Sequence, residues 1–155
     1  MPRIDLDAVP QTNATGYPAP HDRAVAGRWY RRLAPAGGLT ALGASHVVLK
    51  PGAWSSQRHW HAAEDELLVM LSGEAVLVED GGETVLRAGD VAAWPMGVRD
   101  GHHLQNRAAQ DCVFVVVSAG DRAADHGEYP DIDMVFGPEG YARKDGTPYD
   151  ANRTP

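Results

Sequence analysis

Positive charge is scarce in this sequence. Against 21 Asp and Glu stand 14 Lys and Arg, giving a formal net charge of −7 and a pI of about 5.4. Only two of the cations are lysines, Lys50 and Lys144, and the arginines are scattered apart from the pair Arg31-Arg32. A surface of that sign repels phosphate backbones and anionic lipid, so neither a nucleic acid nor a membrane is expected as partner. Cysteine is nearly absent as well. Cys112 is the single one, which excludes an internal disulfide and is compatible with a reducing compartment. Nowhere do about 18 apolar residues follow one another, and the start Met1-Pro2-Arg3-Ile4-Asp5-Leu6-Asp7 lacks the apolar run of a signal peptide. Cytoplasmic residence is the expectation. There is no internal repeat, helix-turn-helix, phosphate loop or Gly-x-Gly-x-x-Gly, and no long window of helical periodicity.

What is present is one domain's worth of chain: 155 residues, 43% hydrophobic and 23% charged. Residues 1–20 carry Pro2, Pro10, Pro18 and Pro20 among polar residues, the composition of an extended arm lying on a surface. From Gly127 onward Gly, Pro, Asp and Tyr dominate again, which reads as an irregular tail. Between these flanks, short β-branched and apolar runs alternate with turn signals, the pattern of an all-β sandwich or barrel. The candidate strands are 39–49, 57–61, 66–72, 74–79, 83–87, 91–94, 102–106 and 112–118, with a hairpin turn at Asp80-Gly81-Gly82. Residues 121–125 have room for one helical turn, on which nothing in this reading depends.

Two histidine-rich stretches carry the chemistry. In a strand over 57–61, His59 and His61 point to the same face and Arg58 and Trp60 to the other, so the two imidazoles can share one ion. After a short turn, Glu66 opens the next strand on that face. Two imidazoles and a carboxylate suit a divalent transition metal. A fourth ligand comes from Gly101-His102-His103-Leu104-Gln105-Asn106, where adjacent His102 and His103 cannot both face inward. Parity groups His102 with the apolar Leu104 and with Asn106, so His102 is the expected ligand, and His103 points outward or supports from behind. A shift of one residue in register reverses that choice.

These residues resemble the two motifs of the cupins, G-x5-H-x-H-x(3,4)-E-x6-G and G-x5-P-x-G-x2-H-x3-N. The first is matched by Gly52, His59, His61, Glu66 and Gly73, the second by Gly89, Pro95, Gly97, His102 and Asn106. Gly52 precedes His59 by one residue more than the motif has. Gly97 and His102 are separated by four residues instead of two, and Asp100 stands where the shorter motif has its histidine. The segments 55–61, 101–104 and 129–133 are also similar to a group of small prokaryotic cupins, some of which carry sugar-phosphate-isomerase-like names. The resemblance implies an all-β, double-stranded β-helix (jelly-roll) barrel over residues 38–120. An arm and lead-in over 1–37 precede it, and an irregular tail over 121–155 packs against it. It also implies one divalent metal (Fe, Mn, Ni, Zn, Co or Cu) held by His59, His61, Glu66 and His102, and a homodimer formed through the arm or the outer barrel face.

Three imidazoles and one carboxylate leave open positions on a five- or six-coordinate ion, as a catalytic site does. The expected function is therefore a metal-dependent enzyme acting on a small oxygen-bearing organic molecule, by oxygenase or isomerase/lyase chemistry, with Glu66 catalytic as well as ligating. The alternative is a non-catalytic module that binds metal or a small ligand. A sugar phosphate would call for cations at the barrel mouth, for which Arg99 and Arg107 are the candidates. Trp54, Trp94, Met70 and Leu104 are candidate cavity residues. His46, His21 and His126 are read as structural or loop residues, and Cys112 as inert in the last strand.

Overall fold

The computed structural model describes residues 3–149; the ends of the arm (1–2) and of the tail (150–155) lie outside the described residues. Two antiparallel sheets face one another. The larger has five strands in the order β1 (Arg28–Arg32), β2 (Gly43–Leu49), β8 (Cys112–Gly120), β3 (Glu64–Ser72) and β6 (Val91–Trp94). The smaller has three, β5 (Gly82–Arg87), β4 (Glu74–Glu79) and β7 (His103–Gln105). The expected all-β jelly-roll barrel is what the chain forms.

The apolar alternation along the strands explains why the sheets close on each other. Val47 and Leu49 of β2, Leu68 and Met70 of β3, Leu77 of β4, Leu86 of β5, Leu104 of β7 and Phe114 of β8 form one buried cluster, with Cys112 among them. Cross-strand register stacks them in layers, Val47 opposite Phe114 and Leu77 opposite Leu104. Glu66 shares the inward parity of Leu68 and Met70 and lies opposite Trp94 on one side and Ser118 on the other. It therefore faces the inside of the barrel at the end of the apolar layers. The two-residue connection Asp80-Gly81 joins β4 to β5 as the sequence signals.

At Gly73 backbone conformation is decisive. Its φ is +72°, and a Cβ there would meet the Asp111 carbonyl at 2.6 Å, so no other residue fits where β3 leaves its pairing with β8 and turns into β4.

Three segments differ from the sequence reading. Residues 57–61 are not a strand: Trp54 and His59 make isolated bridges to Gln105 and His102, and the chain between is irregular. Residues 28–32, within the stretch read as lead-in, form β1 and pair with β2 along its length. The aromatic and arginine-rich run Arg28-Trp29-Tyr30-Arg31-Arg32 lacks the apolar alternation that marks a core strand, which is why parity alone did not find it. Residues read as irregular tail make a third small sheet, β9 (Gly127–Tyr129), β10 (Met134–Gly137) and β11 (Gly140–Ala142). Its strands are too short and Gly-rich to show a period, and tertiary packing selects them. Met134 is fully buried. Arg58 clamps the β9–β10 turn with two hydrogen bonds to Asp131, of 2.7 and 2.8 Å, and pairs with Asp80 on the barrel.

Among the described residues no helix is long and apolar enough to cross a membrane.

Candidate metal centre

The barrel brings His59, His61, Glu66 and His102 to one place, by different local means. His59 and His102 sit directly opposite each other in an antiparallel bridge, His102 N–H donating to the His59 carbonyl at 2.9 Å and His59 N–H returning the bond at 3.2 Å. This bridge, and not a strand over 57–61, aligns the two histidine stretches. His61 is held from a third side. Gly97, in the left-handed region at φ +78°, donates its N–H to the His61 carbonyl at 2.8 Å. The second-motif glycine thus positions the first-motif histidine.

The donor atoms converge closely. His59 Nε2 and His61 Nε2 are 3.0 Å apart, His61 Nε2 is 3.7 Å from Glu66 Oε2, and His102 Nε2 is 2.8 Å from the same oxygen. Those of His59, His61 and Glu66 all lie within 4.8 Å of one another, and His102 joins them through Glu66.

Tautomers decide what these nitrogens can do. His59 Nδ1 is 2.9 Å from the Gln57 carbonyl and His61 Nδ1 is 2.6 Å from Asp125 Oδ2; both partners only accept, so each Nδ1 carries the hydrogen. In its neutral form each ring then presents a bare lone pair at Nε2. Two such lone pairs 3.0 Å apart, beside a carboxylate, repel each other unless a metal cation or a shared proton lies between them. Ligands bound at ~2.1 Å and at right angles sit about 3.0 Å apart, so the spacing also suits a single ion. The residues fit a divalent transition metal in both number and kind.

Burial sharpens the electrostatics. His59 is held near a pKa of about 3 by burial first, opposed by Glu66 and reinforced by His102 and His61, so it stays neutral. Burial pushes Glu66 up, but the hydrogen bond from His102 and the nearby imidazoles outweigh it and hold the carboxyl at about 2. Glu66 is thus ionised at neutral pH. His102 lies flat against Trp94, ring centroids 4.0 Å apart and 5° from parallel, while Trp94 Nε1 donates to Glu79 at 2.8 Å. His102 Nδ1 is buried without a partner.

His103 takes no part in this group. It is 2% exposed, shares a hydrogen bond between Nδ1 and the Ser56 carbonyl at 3.0 Å, and packs edge-on against Trp54. It points neither outward nor toward Glu66.

The sequence reading missed Asp125. Its Oδ2 orients His61 and its Oδ1 accepts the Ala63 N–H at 2.9 Å. The turn over 121–124, where Ala124 N–H donates to the Asp121 carbonyl at 3.0 Å, sets the backbone direction that aims it. The turn on which nothing depended in the sequence therefore carries the residue behind a candidate ligand. Glu64 lies near Asp125 and His61 but is engaged by Arg122 at 2.9 Å. Replacing Asp125→Asn should weaken metal binding about 10- to 100-fold, because an amide offers one oxygen where the carboxylate uses two. A competition titration with a chromophoric chelator reads this directly, and an unchanged affinity would show that His61 is oriented without it.

A cavity of about 820 Å³ opens from the four residues. Of the four candidate cavity residues, for which a core position was the commoner expectation, Trp94 and Leu104 line it and Trp54 and Met70 do not. Met70 is core, 1% exposed. His46 has outward parity opposite Val115, and Cys112 is buried with its thiol pushed up to about 11 by burial, hence inert. The cavity's wall beside the histidines comes from the segments read as irregular. Tyr129 of β9 stacks on His59 at 5.6 Å, and Phe136 of β10 packs edge-on against His61 at 5.1 Å. Arg99 and Arg107 are not at the cavity: Arg99 lies over Trp60 and Arg107 pairs with Glu83. The arginines lining it are Arg28, Arg32 and Arg122.

Comparison with known proteins agrees with this architecture. The family model described as "Cupin domain" matches residues 45–118. A crystal structure from Silicibacter pomeroyi, named as a sugar phosphate isomerase from a cupin superfamily, is 38% identical and superposes with a TM-score of 0.89 over 98% of this chain and 99% of that one. A protein of Acidithiobacillus ferrooxidans shares the fold at 23% identity, with a TM-score of 0.68 and 74% of each chain covered. One of Photorhabdus luminescens does so at 20% identity, with a TM-score of 0.56 over 78% of this chain and 88% of that one. No curated protein matches the sequence.

Proposed function

Because the chain belongs to the cupin superfamily, we propose from its cavity that it is a metal-dependent enzyme moving a proton within a small oxygen-bearing molecule, isomerase- or lyase-type. The observation that carries the reading is the pair of Nε2 lone pairs fixed 3.0 Å apart beside Glu66 at the end of the cavity. Support for the reaction type comes from the Silicibacter pomeroyi relative, similar over its whole length and named as a sugar phosphate isomerase.

In this reading His59, His61, Glu66 and His102 hold one divalent ion, which supplies Lewis acidity toward a substrate carbonyl or hydroxyl oxygen. Glu66 is the carboxylate that lines the cavity among the described residues, and is the group placed to exchange a proton with the substrate. Tyr129 covers His59 with its ring and keeps its hydroxyl proton, since burial and then the neighbouring Tyr17 and Tyr141 push its pKa far up. Trp94 and Phe136 keep bulk water off the imidazoles.

The test loads the protein with each candidate metal and follows aldose and ketose phosphates, hydroxy acids and keto acids by NMR, with and without air. Interconversion that proceeds equally without oxygen supports the proposal. Conversion that requires oxygen would replace it with an oxygenase, and ligands bound but never transformed would replace it with a binding module.

We also infer that two copies associate through the outer face of the five-stranded sheet. That face is apolar too: Leu67, Val69 and Leu71 of β3, Val91 of β6, and Val113, Val115 and Val117 of β8 all have outward parity. Leu67, Leu71 and Val91 are 41%, 49% and 58% exposed in the single chain, an apolar surface that isologous pairing would cover. Light scattering should give about twice 16.6 kDa, and Leu67→Glu with Leu71→Glu should return it to the single-chain mass. A wild type that is monomeric over a wide concentration range overturns this.

A further inference from the structure

β1 contributes a second kind of chemistry to the cavity. Arg28, Tyr30 and Arg32 alternate along it with one parity and all line the cavity, while Trp29 and Arg31 have the other. Tyr30 lies between the two guanidinium groups, 5.4 Å from Arg28 and 6.0 Å from Arg32. Arg28 Nη1 donates to the Ser55 carbonyl at 2.9 Å, which pins the side chain, but its Nε is buried with no partner. Neither Arg28 nor Arg32 has a carboxylate partner among the described residues, although the chain carries 21 acidic residues. The cavity's other arginine, Arg122, is by contrast neutralised by Glu64 at 2.9 Å.

Phenol hydroxyls complete the wall. Tyr17 from the arm and Tyr141 from β11 have ring centroids 5.5 Å apart, and Tyr17 meets Tyr129 edge-on at 5.7 Å. Burial keeps these hydroxyls protonated, Tyr17 at about 12, and Arg28 is near enough to pull both Tyr17 and Tyr141 back down. A pinned guanidinium with unused N–H groups, a second one across Tyr30 and O–H donors around them form a surface of donors with no carboxylate among them. Such a surface suits a group that only accepts hydrogen bonds and carries negative charge.

We propose that Arg28, with Arg32 and the hydroxyls of Tyr17 and Tyr141, is an oxyanion subsite that binds the charged end of the substrate. The other end of the same molecule then reaches His59, His61 and Glu66. This rests on reading the cavity as a substrate chamber. Phosphate and carboxylate share the required chemistry, and one continuous cavity is lined both by Arg28 and Arg32 and by His59, His61 and Glu66.

Calorimetric titration of the protein as purified, with inorganic phosphate and separately with malonate, tests it without any turnover. At least one should bind, and the tighter identifies the natural group. Arg28→Met should weaken that binding about tenfold or more and Tyr17→Phe about threefold, with metal content unchanged in both. Arg122→Met, which removes an already paired arginine, should leave it unaltered. Tyr17→Phe deletes a single oxygen and keeps the question answerable if Arg28→Met does not fold. Failure of both anions to bind the wild type, or wild-type binding by both variants, overturns the subsite. Binding that persists in protein found to hold no metal would leave the subsite standing and remove the metal reading instead.

Discussion

The double replacement His59→Ala and His61→Ala should reduce the transition-metal content of purified protein from about one equivalent per chain to less than about a tenth. The two rings are the pair whose Nδ1 hydrogens are committed elsewhere, to Gln57 and Asp125, which leaves their Nε2 atoms turned toward each other as the donors proposed for the ion. Removing them leaves one imidazole and one carboxylate, His102 and Glu66, too few donors to retain an ion through purification. Elemental analysis of protein produced without added metal gives the answer. Metal content equal to that of the wild type would mean the ion, if any, sits elsewhere. The same measurement separates the adjacent histidines: His102→Ala should lose most of the metal and His103→Ala little, since His103 is turned toward Ser56 and Trp54. Loss of stability in His103→Ala is a different matter and should appear in thermal unfolding, because a buried hydrogen-bonded ring is removed.

Glu66→Gln should lower turnover by about a hundredfold or more while weakening metal and substrate binding about tenfold or less. The amide keeps the shape and one acceptor oxygen for His102, and it removes the negative charge and the capacity to take a proton. Three imidazoles remain to hold an ion. Because Glu66 is ionised and is the carboxylate lining the cavity among the described residues, chemistry should suffer more than binding. The comparison needs a substrate from the NMR panel, with kcat and metal affinity measured on the same preparations. Equal losses in turnover and binding would make Glu66 a ligand alone, and unchanged turnover would remove it from the catalytic role.

Much of the fold was legible because barrel strands advertise themselves. Residues 66–72, 74–79 and 112–118 read as strands from apolar alternation, and the structure places β3, β4 and β8 over those segments within two residues at either end. The convergence of Glu66 with Leu68 and Met70 on one face is likewise a property of parity. His59 and His61 come together as the sequence reading expects, but for a different reason: no strand aligns them, and each is held by a separate long-range contact, to His102 and to Gly97.

Local spacing thus picked out the residue types that the candidate site brings together: two histidines with one residue between them, a carboxylate five further on and a histidine stretch after Gly97. Periodicity along the chain reports which face a side chain takes within an element. It cannot report which elements meet. Asp125 lies 64 residues from the His61 it orients, and Arg28 lies 27 from the Ser55 that pins it. Tyr129 and Phe136 sit on strands of three and four residues, too short to show a period. Those partners exist only once the two sheets have closed and the arm and tail have folded across the barrel mouth. Closure joined the histidine motif to a cavity with arginines in its wall, and it depends on packing between distant segments that no local pattern encodes.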